Sequence, residues 1–402
     1  MALLFAFAFS ARSVRLVQDD ADDPALFFNR AQCNEWKGWM QVAFVAYHYA
    51  NAQDVYVPIR WFVSAYVWLT GFGNAVYFWR TNDFSLGRFL KMLWRINFFV
   101  VFLSLATGTH WIAYYVVALH TVHFVLCYVS LGCAKCFRGA ARSMVGLAVY
   151  GVLCVVVWEG GLYHAAVGPV LEKLLGEGFE QYFWFRTRLD YLSSLAGAVA
   201  AALAPRATAA WRGDDGSNKA GVAAVSVCLA IGGIAVWATH PEPADYRAYQ
   251  PYVGTLWIPL YAVARNATSR LRNRVSAPLE WLGARSLELY LLQFHLLLNR
   301  SADRVLWLVS HEDWPVLNFG VCATLWIVAA HRCFKQTAAL RDAAEAAPKS
   351  AAALLILLAA LYAAARLVDA PCASRDAAAA LSAAAALCFV FGGYVLADVA
   401  AR

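Results

Sequence analysis

Glu35-Trp-Lys-Gly-Trp-Met-Gln41 opens an apolar stretch that runs to Tyr47-His-Tyr49, and it carries two ionisable side chains on one stripe. On an α-helix, Lys37 and His48 stand about three turns apart, ~16 Å of rise and ~20° of rotation. Gln41 and Phe44 fall between them on the same side. A lysine at a membrane surface can meet an anionic ligand, and a histidine nearer mid-membrane is a proton acceptor where charge is expensive. With an unprotonated nitrogen, that histidine suits general-base work or transient acyl carriage. The plainer alternative is a lysine that snorkels to the head groups and a histidine satisfied within the bundle.

Further polar groups recur along the apolar chain. Thr70-Gly-Phe-Gly73 interrupts a helical run with two glycines, which either lets backbones approach or frees amide groups. Asp83-Phe-Ser-Leu-Gly-Arg88 follows, and Arg88, Lys91 and Arg95 are spaced to share one side of a helix end, an arrangement suited to phosphates or lipid head groups. Phe185-Arg-Thr-Arg-Leu-Asp190 places Arg186, Arg188 and Asp190 at the entry to a span, where Arg186 and Asp190 can pair four residues apart. Glu288, Gln293 and His295 lie in an otherwise apolar helix, and each needs a partner there. His120 and His123 have the i, i+3 spacing of a metal pair, but no carboxylates flank them, which favours a structural or proton-handling role over a metal site. Cys133-Ala-Lys-Cys136 lacks the second pair of a zinc site and the context of a redox motif.

The elements that must position these groups are membrane helices. The chain is 61% hydrophobic and 15% charged with a mean hydropathy of +0.52, and a soluble domain would carry about 25% charged residues. Spans are expected near 36–52, 58–79, 95–107, 110–131, 143–158, 183–204, 220–238, 251–264, 279–299, 316–331, 350–367 and 377–397. The stretches 95–107 and 251–264 are short enough to be tilted or re-entrant, so an all-α polytopic bundle of ten to twelve transmembrane helices is predicted. Within it, 1–34 forms a short tail, 35–335 the chemistry-bearing membrane domain, and 336–402 Ala-rich helices of the same bundle. Basic residues gather in alternate loops, as at Arg80–Arg95, Lys135–Arg142 and Arg265–Arg274, which places those loops and both chain ends in the cytosol. The net charge of +7 is accounted for by this topology and calls for no nucleic-acid partner.

Several of these motifs together resemble a known family. Glu35-Trp-Lys-Gly-Trp-Met-Gln, Tyr47-His-Tyr, Thr70-Gly-Phe-Gly, Asp83-Phe-Ser-Leu, Arg95-Ile-Asn-Phe-Phe, Phe185-Arg-Thr-Arg-Leu-Asp and Gln293-Phe-His occur in order over roughly 27–335. They resemble the multi-pass polysaccharide and sialic-acid O-acetyltransferases, which include the fungal capsule, animal sialate and plant reduced-wall-acetylation proteins. A fainter likeness reaches bacterial acyltransferase-3 proteins, in whose first helix an arginine precedes a Tyr-His histidine by ten residues. Lys37 stands in the arginine's place, keeping the charge but not the bidentate fork, and His48 matches the histidine.

The resemblance implies an acyltransferase-3-like membrane bundle in the Golgi membrane, with cytosolic acetyl-CoA as donor and no metal. It implies a glycan acceptor in the lumen, surrounding lipid, and a separate lumenal acetyltransferase as a possible partner. The chain lacks the Gly-Asp-Ser hydrolase-like module of the fungal and animal members and looks like the plant or algal arrangement. On this reading Lys37, Arg88, Arg95 and Arg186 bind the CoA phosphates. His48 is general base or acyl acceptor, and Glu288 and His295 orient groups or relay protons. The rival readings are a non-enzymatic acetyl-CoA transporter, a scaffold for a glycan-modifying complex, and a lipid acyltransferase.

Overall fold

The computed structural model describes residues 14–16, 28–107, 109, 111–169, 172, 179–212, 226, 229, 243–266, 268, 271, 273–298, 305–310 and 313–346. The expected spans 350–367 and 377–397 lie outside the described residues, as does 220–238 apart from Ser226 and Leu229. Contacts divide the chain into two units, each assembled from two stretches of sequence: Met1–Phe84 with Leu119–Ser286, and Ser85–Ala118 with Leu287–Arg402.

The first unit begins with the short strand β1 (Val14–Leu16) and the helices α1 (Arg30–Tyr49) and α2 (Tyr56–Thr81). Asn29 caps α1 by accepting the Gln32 amide at 3.0 Å. The helix ends at Tyr49, where Asn51 takes a left-handed backbone conformation before the 3-10 turn Gln53–Val55. His48 therefore lies in the last turn of α1 and not midway along a helix reaching residue 52. Among the described residues, α2 is a continuous helix through Thr70–Gly73, so the two glycines do not break it, and of the two Gly71 serves close approach. A Cβ at Gly71 would run into the Ser194 backbone, while one at Gly73 would meet nothing within 4 Å.

The chain returns to this unit along α4 (Tyr115–Cys133) and continues through α5 (Gly139–Trp158), α6 (Phe179–Arg188), α7 (Ser193–Arg212) and α8 (Pro243–Arg265). β2 (Arg274–Ser276) pairs antiparallel with β1, and α9 (Ala277–Gly283) follows it directly. The expected span 183–204 is thus two helices, because the chain turns at 189–192 to bring Asp190 inward. The expected short span 251–264 belongs to a 23-residue helix that tolerates Pro251 and Pro259.

Helices cross at glycines in this unit. Gly38 of α1 faces the Leu279 backbone, Gly283 of α9 faces the Asn34 carbonyl, and Gly197 of α7 faces the Trp68 carbonyl. Such small-residue seams let membrane helices approach closely. We expect Gly38→Val and Gly283→Val each to lose about 1–3 kcal/mol or more through overpacking. Gly73→Ala, by contrast, should leave stability equal or slightly higher. Thermal unfolding in detergent followed by tryptophan fluorescence checks both, and equal melting for Gly38→Val and wild type would rule the seam out.

The second unit holds α3 (Leu86–Thr107), the turn Trp111–Tyr114, α10 (Ser286–Leu296, from Leu287) and α11 (Pro315–Ala346). α3 begins nine residues before the expected 95–107 because Ser85 starts it: its hydroxyl accepts the Arg88 amide at 3.2 Å and its carbonyl the Phe89 amide at 3.1 Å. The span expected at 279–299 is also two helices, seven and eleven residues long, separated at Ala284–Arg285. Phe98 packs with Trp94, Phe102 and Leu340. The Trp326 indole donates to the Leu289 carbonyl at 2.8 Å, and buried Asn318 bonds the backbone at Leu306, Leu308 and Val309. Ile112–Cys133, Gly139–Trp158 and Pro315–Ala343 are each long and apolar enough to cross a bilayer.

Candidate functional site

Most of the Glu35-Trp-Lys-Gly-Trp motif is spent on holding helices together. The buried Glu35 carboxylate accepts from Arg265 at 2.6 and 3.0 Å and from the Ser276 amide at 2.7 Å. Trp36 stacks on Tyr261 at 4.5 Å, the Trp39 indole donates to the Tyr261 hydroxyl at 3.1 Å, and Gly38 makes room for α9. Arg265, counted from sequence among loop charges, is therefore the partner of Glu35. Lys37 is half-buried on the same helix as Glu35.

Beside Lys37 the structure brings together residues from three helices. The Tyr66 hydroxyl of α2 donates to the Lys37 carbonyl oxygen at 2.7 Å. The Tyr66 ring stands edge-on to His120 of α4, with centroids 6.4 Å apart, and packs near Phe44 at 6.1 Å. One turn along α2, Thr70 Oγ1 lies 2.6 Å from His120 Nδ1 and 3.2 Å from the Tyr66 carbonyl, to which it donates. Asn74 in turn donates to the Thr70 carbonyl at 2.8 Å. The Lys37 ammonium is within electrostatic range of His120. Lys37, Tyr66, Thr70 and His120 each keep part of their surface exposed. His48 belongs to another level of the same unit, about three turns along α1, where its half-buried ring packs edge-on to Tyr47 at 4.9 Å.

His123 has different surroundings from His120. It is fully buried, stacked on the Trp158 indole at 5.5 Å, with the Tyr150 hydroxyl 3.2 Å from its carbonyl and donating to Ser194 at 2.8 Å. Its Nε2 has no partner among the described residues. The two imidazoles thus face separate partners, which gives His120 the site and His123 the packing.

The Phe185-Arg-Thr-Arg-Leu-Asp motif is a second polar centre of this unit. Asp190 is fully buried, ion-paired to buried Arg60, and accepts from Ser64 at 2.5 Å. Gln250 donates to Ser64 at 2.9 Å, and Arg60 also donates to the Arg186 carbonyl at 3.0 Å. Asp190 therefore pairs across helices with Arg60, while the Arg186 guanidinium lies over the Tyr182 and Phe185 rings at 5.0 and 5.7 Å. Arg60 was readable as an arginine inside an expected span, a placement that signals a purpose; Tyr66 carries no such mark in the sequence.

In the second unit, Arg95 grips Glu288 with both guanidinium nitrogens at 2.7 and 3.3 Å, and Thr337 donates to the same carboxylate at 3.3 Å. Lys91 pairs with Glu345 at the surface. Arg88 is half-buried beyond the Ser85 cap. His295 Nε2 lies 2.5 Å from the Tyr114 hydroxyl, itself fully buried. The structure therefore brings Arg95 to Glu288, and it gives His295 a partner other than Glu288.

Comparison with known proteins decides the lineage of these helices. The 10 TM acyl transferase domain found in Cas1p matches residues 3–357. The chain belongs to this acyl transferase family. It is accordingly an all-α, multi-pass membrane protein, as its composition requires. It is also similar to the N-acetylneuraminate (7)9-O-acetyltransferase of Danio rerio, 28% identical over 356 residues, which cover 81% of this chain and 44% of that relative. The chain spans less than half the length of that relative. No solved structure matches. The motifs of this acyl transferase divide in two: Glu35, Gly38, Arg60, Asp190 and Arg265 hold helices together, and Lys37, Thr70 and His120 meet at a partly open site.

Proposed function

We propose that the protein is an O-acetyltransferase of the Golgi membrane, moving acetyl groups from cytosolic acetyl-CoA to hydroxyls of sialic acid or another glycan on the lumenal side. The observation that carries this reading is a cation, Lys37, and neutral hydrogen-bonding groups around an imidazole, placed together in an acyl transferase fold. The relative's named activity supports the acetyl group and the sugar acid. An ester forms when a hydroxyl oxygen attacks the thioester carbon, so the protein must supply a base and meet the anionic groups of its substrates. Lys37 meets such an anion. His48, at the end of α1, takes up a proton or carries the acetyl group. A separate lumenal acetyltransferase completes delivery where the final acceptor is a polymer.

The test is transfer of label from acetyl-CoA to N-acetylneuraminate by the purified chain in lipid nanodiscs. Wild type is expected to transfer, and His48→Ala to fall by about 100-fold or more, the lower range for loss of a general base. Full activity of His48→Ala would remove that residue from the chemistry. Uptake of intact acetyl-CoA into vesicles without label on sugar would make the chain a transporter, and label on lipid would make it a lipid acyltransferase.

A further inference from the structure

We propose that His120, its ring fixed by Thr70 and set beside Lys37, is the base that activates the acceptor hydroxyl of a carboxylate-bearing sugar. The inference rests on the acetyltransferase reading; it moves the acceptor-activating base from His48 to His120, leaving His48 a relay role, and adds the residues that select the acceptor. A hydroxyl has one hydrogen to donate. Thr70 gives it to the Tyr66 carbonyl, the i−4 bond common in helices. The 2.6 Å contact between Thr70 Oγ1 and His120 Nδ1 is then made with the hydrogen on Nδ1. That tautomer leaves Nε2 as a bare lone pair, the form a base requires. Asn74 extends the scaffold by bonding the Thr70 carbonyl, so the ring is held by a chain of groups from α2.

Lys37 defines what comes to this nitrogen. Its carbonyl accepts from the Tyr66 hydroxyl, and the Tyr66 ring stands edge-on to His120, so the backbone of Lys37 and the imidazole flank a single tyrosine. A lysine is a compact point charge that pairs with either a carboxylate or a phosphate, and the sugar acid in the relative's name makes the carboxylate the anion to test. A sugar acid seated by its carboxylate on Lys37 brings a hydroxyl to Nε2. As the hydroxyl oxygen bonds to the acetyl carbon, Nε2 takes its proton. The carbon–sulfur bond of acetyl-CoA breaks, and the departing thiolate receives that proton. The products are the O-acetyl sugar and CoA.

The experiment uses the full chain in nanodiscs with labelled acetyl-CoA, and N-acetylneuraminate or its uncharged methyl ester as acceptor. His120→Asn should lower kcat by about 100-fold or more. Thr70→Val should lower it by about 10–100-fold, the range for losing a group that orients a histidine, with KM for the sugar unchanged. Thr70→Ser should recover most of the rate. Lys37→Met should raise KM for the acid far more than for the methyl ester. His120→Asn within threefold of wild type, Thr70→Val as active as Thr70→Ser, or equal losses on acid and ester for Lys37→Met would each overturn the assignment. Nitrogen-15 spectra of ring-labelled protein, assigned with His120→Asn, should place the His120 proton on Nδ1, and a proton on Nε2 would overturn it independently of turnover. A wild type that acetylates no sugar while keeping the Nδ1 proton would instead overturn the acetyltransferase reading.

Discussion

Asp190→Ala is expected to be among the most damaging single changes in this protein, lowering stability by about 3–5 kcal/mol. The reason is the charge it leaves behind. Arg60 is 2% exposed and Asp190 fully buried, so removing the carboxylate strands a guanidinium that has no water to turn to. The Ser64 hydroxyl also loses its acceptor, and Gln250, which donates to Ser64, loses the order of its own bond. The effect should show as a lowered unfolding temperature in detergent and poor recovery of monodisperse protein. A second variant separates stranded charge from lost packing. Arg60→Met combined with Asp190→Leu removes both charges and keeps most of the volume, and buried pairs replaced in this way often become neutral or more stable. The double variant should therefore melt well above Asp190→Ala. Should both melt together, or Asp190→Ala melt like wild type, the ion pair is not what holds α2 to the 189–192 turn.

The same pair explains what could be read from the sequence and what could not. Hydropathy located α1, α2, α4 and α5 to within about six residues at either end, because long apolar runs have few alternatives in a bilayer, but it found only the start of α11, which runs on to Ala346 beyond the expected end at 331. It merged α6 with α7 and α9 with α10, since the turns at 189–192 and 284–285 carry too few polar residues to interrupt an apolar run. Asp190 finds Arg60, 130 residues distant, and Glu288 finds Arg95, 193 residues distant. Local spacing favours the i, i+4 neighbour Arg186 in the first case, and in the second it makes Arg95 look available for phosphate. Lys37 and His48 are legible as a pair because helical periodicity is visible within one segment. The imidazole beside Lys37 comes from α4, and its orienting hydroxyl comes from a motif on α2 that glycine spacing alone marks as a packing device.

Arg95→Ala is expected to cost about 3–5 kcal/mol, and Glu288→Gln less, about 1–3 kcal/mol. The asymmetry follows from exposure. Glu288 is fully buried, whereas the Arg95 side chain keeps 32% of its surface open. Without Arg95 the carboxylate retains the Thr337 hydroxyl and no cation among its described contacts. Without the Glu288 charge, Arg95 keeps its open surface and still lies over Phe334 at 5.7 Å, while glutamine keeps an acceptor for Thr337. The two roles open to Arg95 then give opposite signatures. As a ligand for CoA phosphates, its loss raises KM for acetyl-CoA and leaves unfolding unchanged. As the counter-ion of Glu288, its loss lowers the unfolding temperature, and adding Glu288→Leu restores part of it because no buried charge remains. The bidentate grip on a buried carboxylate favours the second signature. Restored stability in the Arg95→Ala, Glu288→Leu protein with an unaltered KM would make Arg95 a helix clamp. A raised KM at wild-type stability would return it to the donor site.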